Sequence, residues 1–161
     1  MKLGVLAIAL CPAVASADSA TDVDAKLAYF VGDWSCNGSF PSTGKSIAST
    51  IHFERAPAIH GLLKQHADKP PDVYSAIELW NYSATDKRFN AAIADNFGGV
   101  RDFTSPGWVG DTIVWTSAAQ VSPIQQFVYT KLDDKALRVD WKTSKTGKDF
   151  VVGDTLTCKR K

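Results

Sequence analysis

The chain of 161 residues has little cysteine, histidine or methionine, with three, three and one of each. Three cysteines are too few to hold together a small disulfide-built protein. An excess charge of one sign is also lacking: 18 basic and 17 acidic residues give +1, so nucleic acid and anionic membranes are not expected partners. No apolar run approaches the roughly 20 residues that cross a bilayer, so we expect no transmembrane segment. A composition of 11% aromatic and 22% charged residues excludes a disordered chain, and the length suits one domain.

Residues 1–17 have the pattern of a cleaved signal peptide. Lys2 supplies the positive start, a short apolar run follows, and the small residues Ala-Ser-Ala end at Ala17. Cleavage after Ala17 leaves one domain, 18–161. The pattern therefore predicts a periplasmic or secreted protein.

Two cysteines, Cys36 and Cys158, remain after that cleavage. In an oxidising compartment the pair is expected to form a disulfide, and two buried free thiols are the alternative. Cys11 follows the large Leu10, where a lipoprotein signal has a small residue, so we favour a signal peptide without lipid attachment.

A short helix is predicted at 21–31, near the start of the mature chain. Thr21 can cap it, and Leu27, Phe30 and Val31 form an apolar stripe at helical spacing. After Gly32 the helical period does not return. Short runs rich in Val, Ile, Thr and aromatics follow, separated by turn residues, which is typical of a sandwich or barrel. The predicted strands are 33–40, 46–54, 60–66, 73–82, 88–94, 99–104, 111–117, 124–132, 136–143 and 150–159.

Alternation along the ninth predicted strand gives an expected register with the eighth. Val139 and Trp141 lie on its apolar face, between charged residues. A three-residue turn at 133–135 pairs Trp141 with Phe127 and Val139 with Tyr129. Burial favours this register over a two-residue turn, which would place polar residues opposite the apolar ones.

The same reasoning gives an expected register for the last hairpin. A four-residue turn at 144–147 pairs Trp141 with Phe150 and Val139 with Val152. The inner face of the last strand is then Phe150, Val152, Leu156 and Cys158.

Both cysteines fall on apolar faces, because Cys36 alternates in step with Trp34 and Cys158 with Leu156. We interpret the fold as all-β: a closed antiparallel up-and-down barrel of about ten strands, with a short N-terminal helix. Its first and last strands are neighbours, joined by a Cys36–Cys158 disulfide. Closure removes exposed strand edges, which invite aggregation. A flat sandwich is the competing architecture.

A family resemblance rests on an ordered set of motifs: FVGDWSCNGSF, IELWNYSATDKRFNAAIADNFGG, DTIVWT and the terminal GDTLTCKRK. Over nearly all of 25–161 the chain resembles exported bacterial lipocalin-like, calycin-type β-barrel domains of unknown function. In lipocalins the Trp of a G-x-W motif plugs one barrel end, and a basic residue of the last strand packs on it. The resemblance implies this structural role for Trp34 and Arg160.

The chain is also similar in shape to nitrobindin-like ten-stranded barrels, which bind haem through a histidine late in the chain. His66 is the last histidine of this sequence. The haem site is therefore not carried over, and we expect no cofactor.

The histidines His52 and His60 are weak candidates for a metal or proton-transfer site. A hairpin centred on Ala56 would set them opposite each other, with Cβ atoms about 5 Å apart and Glu54 nearby. Two surface imidazoles beside a hairpin are the simpler interpretation, so we expect no metal site. His60 and His66 lie about 20 Å apart on a straight strand and do not share a metal.

Catalytic signatures are absent from the sequence. It contains no nucleophile elbow, no C-x-x-C pair, and no phosphate-binding or dinucleotide-binding glycine pattern. Asp154 shares the inner parity of Leu156; if it is buried, it needs a partner or its pKa rises. An aspartate at the barrel edge that reaches water is the alternative, and we predict no catalytic residues.

Aromatic residues on the predicted strands are the remaining functional signal. A barrel of this size either fills with side chains or keeps a cavity for one small ligand, and aromatic walls suit an apolar or flat ligand. The residues expected to line such a cavity are Phe53, Trp80, Trp115, Phe127, Tyr129, Trp141 and Phe150. Trp108, in a turn, either guards a mouth or covers an end.

Three functions fit these observations. The favoured one is an exported lipocalin-like binding protein that holds a small hydrophobic or aromatic ligand without catalysis. The alternative is an envelope protein inhibitor or protein-interaction module, with a filled interior and an envelope protein as partner. The third is a small β-barrel isomerase or hydrolase that uses an inward-facing His52, His60 or Asp154.

Overall fold

The structure, a computed structural model, describes residues 25–161. The expected signal peptide and the first residues of the predicted helix lie outside this range. Residues 25–27 are helical, and the 3-10 turn Ala28–Phe30 follows directly. The short N-terminal helix is thus confirmed where it is described, and the first strand begins at Gly32, whose φ of 119° favours glycine.

Eleven strands within the described range form one antiparallel sheet, and ten of them form a closed ring. Strands β1 to β6 and β8 to β11 pair in chain order, β1 also pairs with β11, and β6 pairs with β8. The short β7 forms a hairpin with β8. The strands are β1 (Gly32–Phe40), β2 (Lys45–Ala56), β3 (Gly61–Asp68), β4 (Ser75–Ser83), β5 (Arg88–Asp95), β6 (Val100–Ser105), β7 (Trp108–Val109), β8 (Thr112–Ser117), β9 (Ile124–Asp133), β10 (Ala136–Ser144) and β11 (Val151–Arg160).

The predicted closed, all-β barrel is confirmed, and every predicted strand overlaps an observed one. Cys36 and Cys158 are direct partners across β1 and β11 and form a disulfide. The bridge joins residues 122 positions apart, which the chain-entropy description equates with about 4–5 kcal/mol of stabilisation. The first and last strands are therefore neighbours, as expected.

One of the two predicted registers is confirmed and the other is wrong. Trp141 pairs with Phe127 across β9 and β10, as expected. Across β10 and β11, however, Trp141 pairs with Asp154 rather than Phe150, and Val139 is shifted in the same direction. The connection is longer than a four-residue turn and runs from 145 to 150. Within it, the backbone N–H groups of Thr146 and Gly147 donate to Ser144 Oγ.

One end of the barrel, which we call the closed end, is filled by the segment 25–31. Phe30 has no exposed surface. Its ring contacts those of Tyr29, Phe53, Trp80, Trp108 and Tyr129. Because all these rings are packed on one another, this end holds the aromatic core of the molecule.

Trp34 and Arg160 fasten the same segment to β1 and β11. Trp34 Nε1 donates to the Phe30 carbonyl at 2.7 Å, and the Arg160 guanidinium lies 4.3 Å from the centre of the Trp34 ring. Arg160 also donates to the backbone oxygens of Tyr29 and Val31. These bonds satisfy carbonyl groups that the buried helix end would otherwise leave unpaired.

Within residues 25–161, no helix is both long enough and apolar enough to cross a membrane.

Candidate functional site

The opposite end of the barrel, the open end, leads into a cavity of about 360 Å³. The connection between β3 and β4 and that between β5 and β6 border its mouth. Val73 and Phe97, one from each connection, are 68% and 71% exposed at the rim. The Phe97 ring is 6.1 Å from that of Tyr74, which in turn is 5.3 Å from His66. An aromatic path therefore leads from solvent to the interior.

Most of the cavity wall is apolar. Its apolar side chains include Phe40, Ile51, Phe127, Val139, Trp141 and Leu156. They come from β1, β2, β9, β10 and β11, whose inward residues alternate with outward ones. A wall of this kind with a few polar groups is typical of a small-molecule site.

The aromatic residues proposed from the sequence divide between two regions. Phe127 and Trp141 line the cavity. Phe53, Trp80, Trp115 and Tyr129 are each 1% exposed and belong to the packed core beneath it. Phe150 precedes β11 and is outside the cavity lining, because of the longer connection described above.

A bulge in β11 makes room for Trp141. Gly153 is the extra residue between the Trp141–Asp154 and Lys142–Val152 pairs. A Cβ atom on Gly153 would lie 2.3 Å from Trp141 Cε3, so only glycine lets the indole lie against β11. The bulge thus sets the position of both Trp141 and Asp154 in the wall.

A buried ion pair forms the floor of the cavity. Lys64 Nζ lies 2.5 Å from Glu78 Oε1 and 2.8 Å from the Tyr129 hydroxyl, and both charged side chains are nearly inaccessible to solvent. Trp80 Nε1 donates to the other Glu78 oxygen at 2.9 Å. The network satisfies both buried charges, as a low-dielectric interior requires.

His66 and Asp68 lie above this floor on β3. His66 Nε2 is 3.2 Å from Asp68 Oδ1 but makes no hydrogen bond. Burial lowers the pKa of His66, an effect that the contact with Asp68 opposes and the Lys64 charge reinforces. The Asp68 carboxylate accepts a hydrogen bond from Ser49 Oγ at 2.6 Å.

Asp154 is partly buried in the wall opposite. Its pKa is raised to about 6, chiefly by burial and next by the negative charge of Asp68; a backbone hydrogen bond from Trp141 acts in the other direction. Of the two positions considered for Asp154, partial burial therefore fits better than the edge of the barrel in free contact with water.

A second ion pair lies nearer the mouth. Arg101 Nη2 contacts Asp95 Oδ2, and Arg101 Nη1 donates to Gln125 at 2.9 Å. Burial is the largest cause of a raised pKa for Tyr74, so its phenol keeps its proton at neutral pH. These groups hold the β4–β6 side of the mouth in place.

The expected opposition of His52 and His60 is wrong. His52 pairs with Gln65, because the hairpin turns over Pro57–Ile59 rather than at Ala56. His60 ends that turn in a left-handed conformation, with φ of 48°.

His52 is 41% exposed and contacts Asp33, 2.8 Å away on the outside of the barrel. Among the described residues, no group of three or more His, Cys, Asp or Glu side chains is arranged to hold a metal ion. Trp108 packs at the closed end, against Phe30, and so does not guard the mouth.

The sequence analysis placed Asp154 on the inner face but missed the other polar groups of the cavity, although a signal was present. Lys64, His66 and Asp68 alternate in step with Leu62 on β3, and Glu78 stands in step with Trp80 on β4. Charged residues at inward positions mark either a buried pair or a site.

The fold is similar to that of a solved structure at low sequence identity. The crystal structure of Rv2717c from M. tuberculosis is 13% identical over 86% of this chain and 97% of its own, with a TM-score of 0.62. A redesigned β-barrel is 15% identical over 84% of this chain and 95% of its own, with a TM-score of 0.40. No known family and no curated protein matches the chain.

Proposed function

We propose that this protein is an exported lipocalin-like binding protein for a small hydrophobic or aromatic ligand, which it holds without catalysis. The observation that supports the proposal is the cavity of about 360 Å³, open at one end and largely apolar. A cavity of this size is at the small end of the range for ligand sites, so the ligand is small.

Export is part of the proposal. The predicted signal peptide, 1–17, would direct domain 18–161 to the periplasm or the medium. The Cys36–Cys158 disulfide fits such a compartment, because disulfides persist where the environment is oxidising.

The division of the interior favours a binding protein over an envelope protein inhibitor. An inhibitor would act through its outer loops and needs no cavity, whereas the open half here is a walled space with exposed Val73 and Phe97 at its mouth. Exposed apolar side chains around a concavity are typical of a ligand entrance.

A titration with the neutral fluorophore N-phenyl-1-naphthylamine tests the proposal. We expect saturable binding of one equivalent, with quenching of tryptophan emission, because Trp141 lines the cavity. The variant Val139→Phe fills part of the cavity and should weaken binding by about tenfold or more, equivalent to about 1.4 kcal/mol.

The matched control is Val109→Phe, because Val109 is 73% exposed at the closed end. It should bind the fluorophore as the unmodified protein does. The proposal fails if neither this fluorophore nor a smaller phenylalkyl probe binds, or if both variants bind the fluorophore equally well. Native mass spectrometry of protein from its own host should show a co-purifying small mass.

A further inference from the structure

The cavity carries an excess of negative charge. Below the rim, four carboxylates and two cations line it or form its floor, which leaves an excess of two negative charges. They are Asp68, Glu78, Asp95 and Asp154 against Lys64 and Arg101. At the rim, Asp72 is paired with Lys45 at 2.5 Å and adds no net charge.

Both cations are already paired. Lys64 is held by Glu78, and Arg101 by Asp95. Of the carboxylates that face the cavity in the described part of the chain, Asp68 and Asp154 are left without a lysine or arginine partner. Asp68 has a hydroxyl from Ser49 and a contact with His66.

His66 does not supply the missing charge at neutral pH. Its side chain is 13% exposed, and burial is the largest cause of its lowered pKa. His66 lines the cavity, and its Nε2 atom, which is itself buried, lies 3.2 Å from Asp68 Oδ1. The pair therefore presents a neutral ring beside a carboxylate.

Asp68 and Asp154 repel each other across the cavity, since each charge raises the energy of the other in a partly desolvated space. A cation between them would remove this repulsion and gain charge-assisted hydrogen bonds. The rings of Trp141, Phe127 and Tyr74 also line the space, and aromatic faces attract cations.

We propose that the ligand is an organic cation: an amine with an aromatic or aliphatic body. Its ammonium group lies between Asp68 and Asp154 with His66 alongside, and its body packs against Trp141 and Phe127. This inference rests on the proposed binding function and names the class of ligand for the same site. A carboxylate ligand of the same shape is disfavoured, because it would add a third unpaired negative charge.

Three probes of nearly the same size and body test the inference: 3-phenylpropylamine, 3-phenylpropanol and 3-phenylpropionate. In calorimetric titrations at pH 8, the amine should bind most tightly, the alcohol less tightly and the acid least, with an amine affinity about tenfold higher than that of the alcohol. The amine affinity should fall as the pH is lowered through about 6, because protonation of Asp154 removes one of the two charges. The alcohol affinity should not follow that profile.

Several charged and titratable groups around Asp154 influence the pH dependence of amine binding. Asp68 and Lys64 on β3 and Asp140 on β10 affect the pKa of Asp154, and the charge of Asp154 raises the pKa of Tyr129 on β9. Of these, Lys64 is held in its ion pair with Glu78. His66 lies beside the same site, and because its pKa is lowered, its protonation adds to the loss of amine affinity on the acid side only. The amine affinity should therefore fall from about pH 6 downward.

The variant Asp154→Asn should reduce the preference for amine over alcohol, because only the Asp68 carboxylate then remains, and it should flatten the fall in amine affinity near pH 6. Asp134→Asn, which alters an exposed carboxylate at the closed end, should keep both. If the alcohol or the acid binds as well as the amine, the inference is wrong while the binding function stands. If none of the three probes and no neutral fluorophore binds, both fail.

Discussion

The two halves of this barrel use the same strands for different purposes. In the closed half, the rings of Phe30, from the segment 25–31, and Trp34, from β1, have no exposed surface. Arg160 packs on the Trp34 ring and donates to the backbone oxygens of Tyr29 and Val31. In the open half, the inward positions include the repelling carboxylates Asp68 and Asp154 around a cavity. The difference indicates that the packed closed half contributes most of the stability. The open half contributes less, because its cavity and its repelling carboxylates form a site instead of a filled core.

Large-to-small substitutions should separate the halves most clearly. Phe30→Ala removes a fully buried ring and should lower the free energy of unfolding by about 3–5 kcal/mol. Phe127→Ala, at a partly buried ring beside the cavity, should lower it by about 1–2 kcal/mol, because less contact area is lost. Urea unfolding followed by circular dichroism measures both. Equal losses would contradict the division into halves.

The ion pair at the floor marks the boundary between the halves. Lys64→Met leaves the buried Glu78 carboxylate uncompensated and should destabilise the protein by about 3–5 kcal/mol.

The double variant Lys64→Met with Glu78→Gln removes both charges and should recover part of that loss. The same unfolding measurement applies. A single variant as stable as the unmodified protein would mean that the pair is not buried in solution.

Removing the charge of Asp154 should change the free energy of unfolding by less than the Lys64 substitution, and in the opposite direction. Its pKa is raised in the folded protein, from 3.8 to about 6, so the folded state binds this proton more tightly than the unfolded chain does. The ionised group therefore destabilises the fold increasingly between about pH 4 and 6 and by a constant amount above.

Asp154→Asn should raise the unfolding free energy at pH 7 by on the order of 1–3 kcal/mol and leave it unchanged near pH 3. Thermal unfolding at the two pH values checks this, with Asp134→Asn as the control. Destabilisation by Asp154→Asn at pH 7 would show that the carboxylate supports the fold instead.

The sequence was enough to predict the ring of strands, because period-two alternation and turn residues are local signals. It also placed Cys36 and Cys158 on adjacent strands, through their common apolar parity. It failed at the last hairpin, where the connection is longer than four residues and Gly153 adds one more residue that alternation does not register. It also failed at His60, whose turn begins later than expected. The polar site in the cavity could not be predicted, because its side chains come from strands far apart in the chain, such as β3 and β11. Local patterns in the sequence do not show which of these side chains meet inside the barrel.

The tryptophan indole N–H signals offer the most direct test of the two-halves account. Trp141 lines the cavity, whereas the other four tryptophans, Trp34, Trp80, Trp108 and Trp115, lie outside its lining. We expect that adding 3-phenylpropanol to protein uniformly labelled with nitrogen-15 shifts the indole N–H signal of Trp141 in proton–nitrogen correlation spectra. The signal of Trp34 should stay in place. Shifts confined to the closed-end indoles, or no shift of Trp141 at saturation, would contradict the account.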